Sequence, residues 1–223
     1  MTDGPTETRG ATAGSCPRCA GPVWLTGRAP APAECQRHGA VYPLQPAALP
    51  GVEPIRQLLT RAEVPAWLPW PLPENWLVTG AVDAVDASGA GRAVAVACSG
   101  PNPCDAGPAD LVLVAEEPGI GLGAGFAGLD GPDAGTRPIR GAPHAKLTVG
   151  GHPAPLWCVP GSPGAADRAV FVGEALGRWL WAVLWPASAG HLMYDSLNLT
   201  DLRELGEEVR MLPFGAVSPR LVG

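Results

Sequence analysis

The chain has 223 residues, 46% of them hydrophobic, and a formal charge of −6. That much apolar material excludes global disorder, and the lack of any Lys/Arg run argues against a surface for duplex nucleic acid, which needs clustered cations. Only 16% of residues are charged, while 30 Gly and 27 Pro fit many short strands joined by tight turns.

Residues 1–14 are polar, small and without period, and are read as a disordered leader. Met1 to Gly10 has neither the basic start nor the apolar stretch of a secretory signal, so export is not expected. A soluble, cytoplasmic protein with no membrane association is expected, and in such a compartment the six cysteines read as thiols and metal ligands.

Residues 15–45 are too few to hold a hydrophobic core, so only a cross-link or a metal can order them. Their spacing is Cys16-Pro-Arg-Cys19, fifteen residues, then Cys35-Gln-Arg-His38-Gly39. Each short knuckle aims two ligands at one point, and two knuckles complete a tetrahedron. Three thiolates and one imidazole suit structural Zn2+, with Cys16, Cys19, Cys35 and His38 as its ligands. The competing reading, incidental thiols or one disulfide in a flexible tail, leaves this segment with no means of folding.

Residues 46–75 are read as a helix followed by a strap. Ile55, Leu58, Leu59 and Ala62 fall at i, i+3, i+4 and i+7 within Val52–Glu63, and Pro54 sits near the first turn, where its missing N–H costs nothing. From Pro65 to Trp76, four prolines forbid helix while Trp67, Trp70 and Trp76 have apolar faces to bury. Residues 76–212 are read as an antiparallel α+β domain. Its β-leaning runs are Trp76–Val85, Arg92–Cys98, Asp110–Ala115, Ala145–Val149, Pro155–Val159, Ala169–Val172 and Trp179–Trp185, separated by Gly/Pro/Asp turns. In the last run Trp179, Trp181 and Trp185 share one face and Leu180, Ala182 and Leu184 the other, which predicts a central strand covered on both sides. A last helix is expected from Thr200 to about Met211, with Leu202, Leu205, Val209 and Leu212 on one face, before a tail at 213–223.

Several constellations are weighed for chemistry. Gly123-Ala-Gly125-Phe-Ala-Gly128 matches G-x-G-x-x-G, but the chain continues into Leu-Asp-Gly-Pro rather than the helix a dinucleotide loop requires, so no nucleotide cofactor is assigned. The surrounding stretch from Gly119 to Gly141 holds eight glycines and reads as a functional or disordered loop. Cys98, Cys104, His144, His152 and Cys158 are candidates for a second metal or Cys/His site, although Cys158 lies in a core-like run and the histidines in turns. Glu116-Glu117 is a candidate acid/base pair whose ordinary state is a solvated strand end. No catalytic or cofactor-binding residue is assigned.

Beyond residue 14 the chain resembles an uncharacterised actinobacterial family, a domain of unknown function with a cysteine-rich N-terminus. The resemblance rests on the two knuckles and on Tyr42-Pro-Leu-Gln-Pro46, Val64 to Pro73, Ala95 to Pro101, Leu113 to Gly119 and Phe171 to Gly177. Some relatives carry a phosphotransacetylase label, for which the chain shows no phosphate-binding loop or acyl-CoA signature. The body, through Leu72-Pro-Glu-Asn-Trp76 and the run from His144 to Trp157, is also similar to PsbP/Mog1-like α+β domains, which implies partner binding rather than catalysis.

The expectation is therefore an α+β fold, a small N-terminal zinc ribbon before a mainly antiparallel sheet with one or two packed helices. Its function is a non-enzymatic module for an unknown protein or small ligand, with the strap and the Gly119–Gly141 loop as contact surfaces. The rival is an acyl- or phosphoryl-transferring enzyme using Glu117, His144 or Cys158.

Overall fold

A computed structural model of the chain describes residues 12–25, 33–135, 141–160, 165–195 and 197–221. The ribbon is a four-stranded antiparallel sheet in sequential order, β1 (Thr12–Ser15), β2 (Pro22–Leu25), β3 (Ala33–Cys35) and β4 (Gly39–Val41). Its own apolar core consists of Val23 and Ala33 beside Cys16 and Cys35, far too little to stabilise a fold without a cross-link. Order begins earlier than expected: residues 12–14, assigned above to the leader, pair with β2 because Thr12 and Gly14 lie opposite Trp24 and Val23. Residues 1–11 lie outside the described residues.

The link out of the ribbon is stitched onto the body. Leu44 bridges both Ser15 and Ala84, and Ala48 bridges Ala81, so the segment runs along the edge of the large sheet. Helix α1 (Val52–Arg61) follows, burying Ile55 and Leu58 as its periodicity predicts. The strap packs as expected, with Trp67 and Trp76 buried and a short strand β5 (Trp67–Pro69) at its centre. Trp67 and Trp76 thus face inward, and Trp70 is partly buried against the same core.

The body is one nine-stranded sheet. The hairpin-linked β6 (Leu77–Val85), β7 (Gly91–Pro101) and β8 (Pro108–Glu116) form one meander, followed by the short helix α2 (Leu122–Ala127). The second meander comprises β9 (Ala145–Val149), β10 (His152–Cys158), β11 (Ala169–Ala175) and β12 (Arg178–Trp185), and β13 (Asn198–Asp201) comes last. The spatial order is β5-β13-β9-β10-β11-β12-β8-β7-β6, every pair antiparallel except the parallel β13–β9. Pairing of β12 with β8 joins the two meanders.

Across β6–β8, β11 and β12 both faces of this sheet are buried, whereas β9 and β10 bury one face only. Leu111, Leu113 and Ala115 of β8 join one core with α1 and the strap, while Val112 and Val114 join the other with α2. The Trp-rich strand β12 divides in the same way, Leu180, Ala182 and Leu184 to the first core and Trp181, Val183 and Trp185 to the second. Strands covered on both sides read as continuous apolar runs, which is why these segments were recognisable.

The architecture is mostly β, so α+β describes it only roughly. The helix expected over 200–211 is not formed. Thr200 and Asp201 belong to β13 and pair with Leu68 and Trp67, and a turn then leads to a 3-10 helix at Gly206–Met211. The reason lies in Asp201: its buried carboxylate accepts the Ala66 N–H at 3.1 Å and the Arg203 Nε–H at 2.8 Å, tying β13 to the strap. Leu202, Leu205, Val209 and Leu212 are buried all the same. The segment after residue 212 also packs: Phe214 bridges Val78, the Ser218 N–H donates to Thr79 O at 2.8 Å, and Leu221 is buried. Among the described residues no helix is long and apolar enough to cross a membrane.

Candidate metal centre and its junction with the sheet

Cys16 and Cys19 flank the turn between β1 and β2, and Cys35 and His38 the turn between β3 and β4. In the first turn the Cys16 N–H donates to Gly21 O at 2.7 Å and the Ala20 N–H to Cys16 O at 2.8 Å. In the second the His38 N–H donates to Cys35 O at 3.2 Å, and Gly39 leaves it at φ 67°. Both turns fold the chain back within three residues, so each presents two ligands side by side.

The four ligand atoms all lie within 4.8 Å of one another. The Cys19 and Cys35 Sγ atoms are 3.8 Å apart, and His38 Nδ1 lies 3.4 Å from Cys16 Sγ and 3.7 Å from Cys35 Sγ. An ion held tetrahedrally at about 2.3 Å from sulfur and about 2.0 Å from nitrogen sets edges of about 3.8 Å between sulfurs and about 3.5 Å between sulfur and nitrogen. These three separations match those edges. The residues predicted as a metal set are therefore brought together, close enough to hold one metal ion.

Cys16 is fully buried, and burial pushes its thiol up to about 11. Cys35 moves the other way: burial raises it, but the N–H groups of Arg37 and His38 and the neighbouring thiols draw it lower overall. A dication offsets the burial penalty and favours all three thiolates.

The centre does not stand apart from the body. Arg18, between the first two cysteines, donates its Nε–H to Ile120 O at 3.0 Å and a terminal N–H to Gly119 O. Pro17 O sits so close to Gly125 of α2 that a Cβ there would lie 2.3 Å from it. The G-x-G-x-x-G run is thus explained by packing. Gly123 lies against the Trp181 indole, Gly125 admits the knuckle, and Gly128 ends α2 at φ 70°. Sequence reasoning missed Arg18 and Gly125 as docking residues, since nothing in Cys-Pro-Arg-Cys shows what its Arg will meet.

Two cavities open at this junction, with Arg18 on the wall of each. One, of about 690 Å³, lies between Leu25, Ala33 and Val41 of the ribbon and Val85 and Ile120 of the body. The other, of about 370 Å³, lies beside the first knuckle and reaches Phe126, Arg168, Trp185 and Arg220.

The remaining candidates do not form one cluster, although His144 and Cys158 are neighbours. Glu116 is no solvated strand end: it is buried, its carboxylate accepts the Leu122 N–H at 2.7 Å and the Gly123 N–H at 3.2 Å, and burial pushes it up to about 7 against those bonds. Glu117 faces Arg92 at 3.4 Å and Arg178 at 3.6 Å. Cys158 is exposed rather than in the core, at the end of β10, where its backbone N–H donates to His144 Nδ1 at 3.1 Å. Strands β12 and β11 stand between β8 and β10, so Glu117 and Cys158 belong to strands about 14 Å apart. Burial drives the Cys98 thiol up to about 12, Cys104 is exposed in the β7–β8 loop, and His152 is exposed at the β9–β10 turn. Among the described residues, Cys16, Cys19, Cys35 and His38 are the one group of His, Cys, Asp and Glu placed to share an ion.

A family model described as a family of unknown function (DUF6758) matches residues 10–221. No curated protein and no solved structure matches the chain, so the likeness to PsbP/Mog1-like domains remains an expectation from the sequence.

Proposed function

This chain belongs to the family of unknown function DUF6758, and we propose that it is a non-enzymatic binding protein built on a structural zinc ribbon, with its ligand held at the junction of ribbon and sheet. Zinc is the ion that three thiolates and one imidazole select, and a set of four protein ligands leaves no open position for chemistry. The observation that carries the reading is Arg18. One residue from the metal ligand Cys19, it is fastened to the body's Gly119 and Ile120 carbonyls and lines both junction cavities. Metal binding thereby sets the position of a wall shared by the two cavities, and sites between packed modules are where small ligands commonly bind. Ligation by reduced thiols suits the cytoplasm.

The test is metal content by plasma mass spectrometry on the purified chain and on a Cys16→Ser, Cys35→Ser double variant. One zinc per chain, absent from the variant, is the expected result. Zinc retained by the variant, or none in the wild type, overturns the ribbon and with it the junction.

A further inference from the structure

The smaller junction cavity has an unusual electrostatic lining. Its charged lining is Arg18, Arg168 and Arg220, the last two backed by Asp167 and Asp110 outside the lining, and Leu122 and Phe126 supply an apolar side. At its back stands Trp185, only 4% exposed. The guanidinium of Arg168 lies 5.1 Å and that of Arg220 4.9 Å from the centroid of the Trp185 ring. The two cations therefore lie within about one Debye length of each other.

Both guanidinium groups are held from one edge and present the other. Arg168 gives its Nε–H to Asp167 at 2.8 Å and one terminal N–H to Phe126 O at 2.7 Å, and among the described residues its other terminal nitrogen has no partner. Arg220 gives its Nε–H to Asp110 at 3.1 Å, and among the described residues neither of its terminal nitrogens has a partner. These contacts orient the side chains at little entropic cost to a later ligand. The Trp185 Nε1–H is a second, independent feature. It is buried, and no described residue accepts from it. A buried donor without an acceptor keeps its full desolvation penalty, so such groups mark places where an acceptor belongs. The unpartnered groups described here are donors, so the missing species is an acceptor; three guanidinium groups against the two carboxylates of Asp167 and Asp110 leave the wall net positive and favour an anionic one.

We propose that this cavity is a binding site for a small organic anion, whose carboxylate or phosphate is taken by Arg220, Arg168 and Trp185 while its apolar part lies against Leu122 and Phe126. The proposal deepens the reading of the ribbon–sheet junction as a ligand site, and rests on it. Its volume, about 370 Å³, suits a ligand of one ring and one acidic group rather than a nucleotide or a peptide. Carboxylates and phosphate esters share this chemistry, and the choice between them falls to the probes.

The experiment is calorimetric titration of the zinc-loaded full chain with phenyl phosphate, benzoate and benzyl alcohol at low and moderate salt. At least one anion is expected to bind one to one, at least tenfold tighter than benzyl alcohol and more weakly as salt rises. Preference for phenyl phosphate assigns a phosphate ester, and preference for benzoate a carboxylate. Arg220→Gln and Trp185→Phe are each expected to weaken that anion several-fold or more with zinc content unchanged. The second variant removes the N–H together with the five-membered ring of a core side chain, so Arg220→Gln, at an exposed residue, decides the matter if Trp185→Phe disturbs folding. The proposal is overturned if neither anion binds, or if binding is untouched by Trp185→Phe. Anion binding that survives loss of zinc in the Cys16→Ser, Cys35→Ser variant would instead remove the junction reading and leave the anion site standing.

Discussion

Ala20 holds the turn after the second cysteine at φ 54°, in the left-handed region where a Cβ costs about 1–2 kcal/mol and glycine costs nothing. Ala20→Gly should therefore tighten the metal site, raising affinity several-fold in a competition with a chromogenic chelator; weaker binding would mean that the flexibility added to the unfolded chain outweighs the strain relieved. A second residue carries a pH dependence. Glu116 titrates near 7 in the fold against 4.5 for a free carboxyl, because burial outweighs the bonds from Leu122 and Gly123. Between those values the folded chain holds a proton that the unfolded chain has released. The stability from this group is complete below about pH 4.5 and is lost as pH rises to about 7, a change on the order of 3 kcal/mol. Denaturant midpoints measured across that window should fall with rising pH in the wild type, and much less in Glu116→Gln. The adjacent carboxylates at 116 and 117 were legible in the sequence as a pair. That one lies under a helix and the other between two arginines was not, because strand alternation sends neighbours to opposite faces and the sequence does not say what covers each face.

At the scale of elements, the ribbon depends on a close approach that one methyl group would prevent. Gly125→Ala places a Cβ 2.3 Å from Pro17 O, a contact that backbone on both sides cannot relieve without movement. The expected outcome is a ribbon displaced from α2, with faster hydrogen exchange at Cys16–Gly21 and a loss of about 1–3 kcal/mol in stability, as for other overpacked sites; protection equal to wild type would show that the knuckle does not rest on α2. The strands of the two meanders were readable because Gly/Pro-rich turns bracket apolar runs, and β9 was predicted with the bounds the structure shows. The C-terminal helix was misread for a definite reason. The apolar spacing of Leu202, Leu205, Val209 and Leu212 is compatible with a helix, yet a strand, a turn and a 3-10 helix bury the same side chains. What decides between them is the pairing of Thr200 and Asp201 with a strap more than a hundred residues earlier in the chain.

For the whole molecule, two stabilities of different origin are joined. The ribbon's own apolar cluster is Val23 and Ala33 beside the candidate ligands Cys16 and Cys35, while the large sheet packs apolar side chains on one face throughout and on both faces over β6–β8, β11 and β12. Chelation of the metal is expected to release residues 12–41 to rapid hydrogen exchange while the sheet keeps its protection and its cooperative thermal transition. A single transition abolished by the chelator would show instead that the body cannot fold without the ribbon. The sequence by itself determined which Cys and His residues come close enough to hold a metal ion, and most strands, since knuckle spacing, turn residues and unbroken apolar runs are local and act through a few neighbouring residues. Only the tertiary structure decided where the ribbon sits, what Arg18 holds, and that Arg168 and Arg220 meet over Trp185. Those residues come from the loop before β11, the end of β12 and the segment after the last 3-10 helix, and only long-range strand pairing brings such distant segments to one wall.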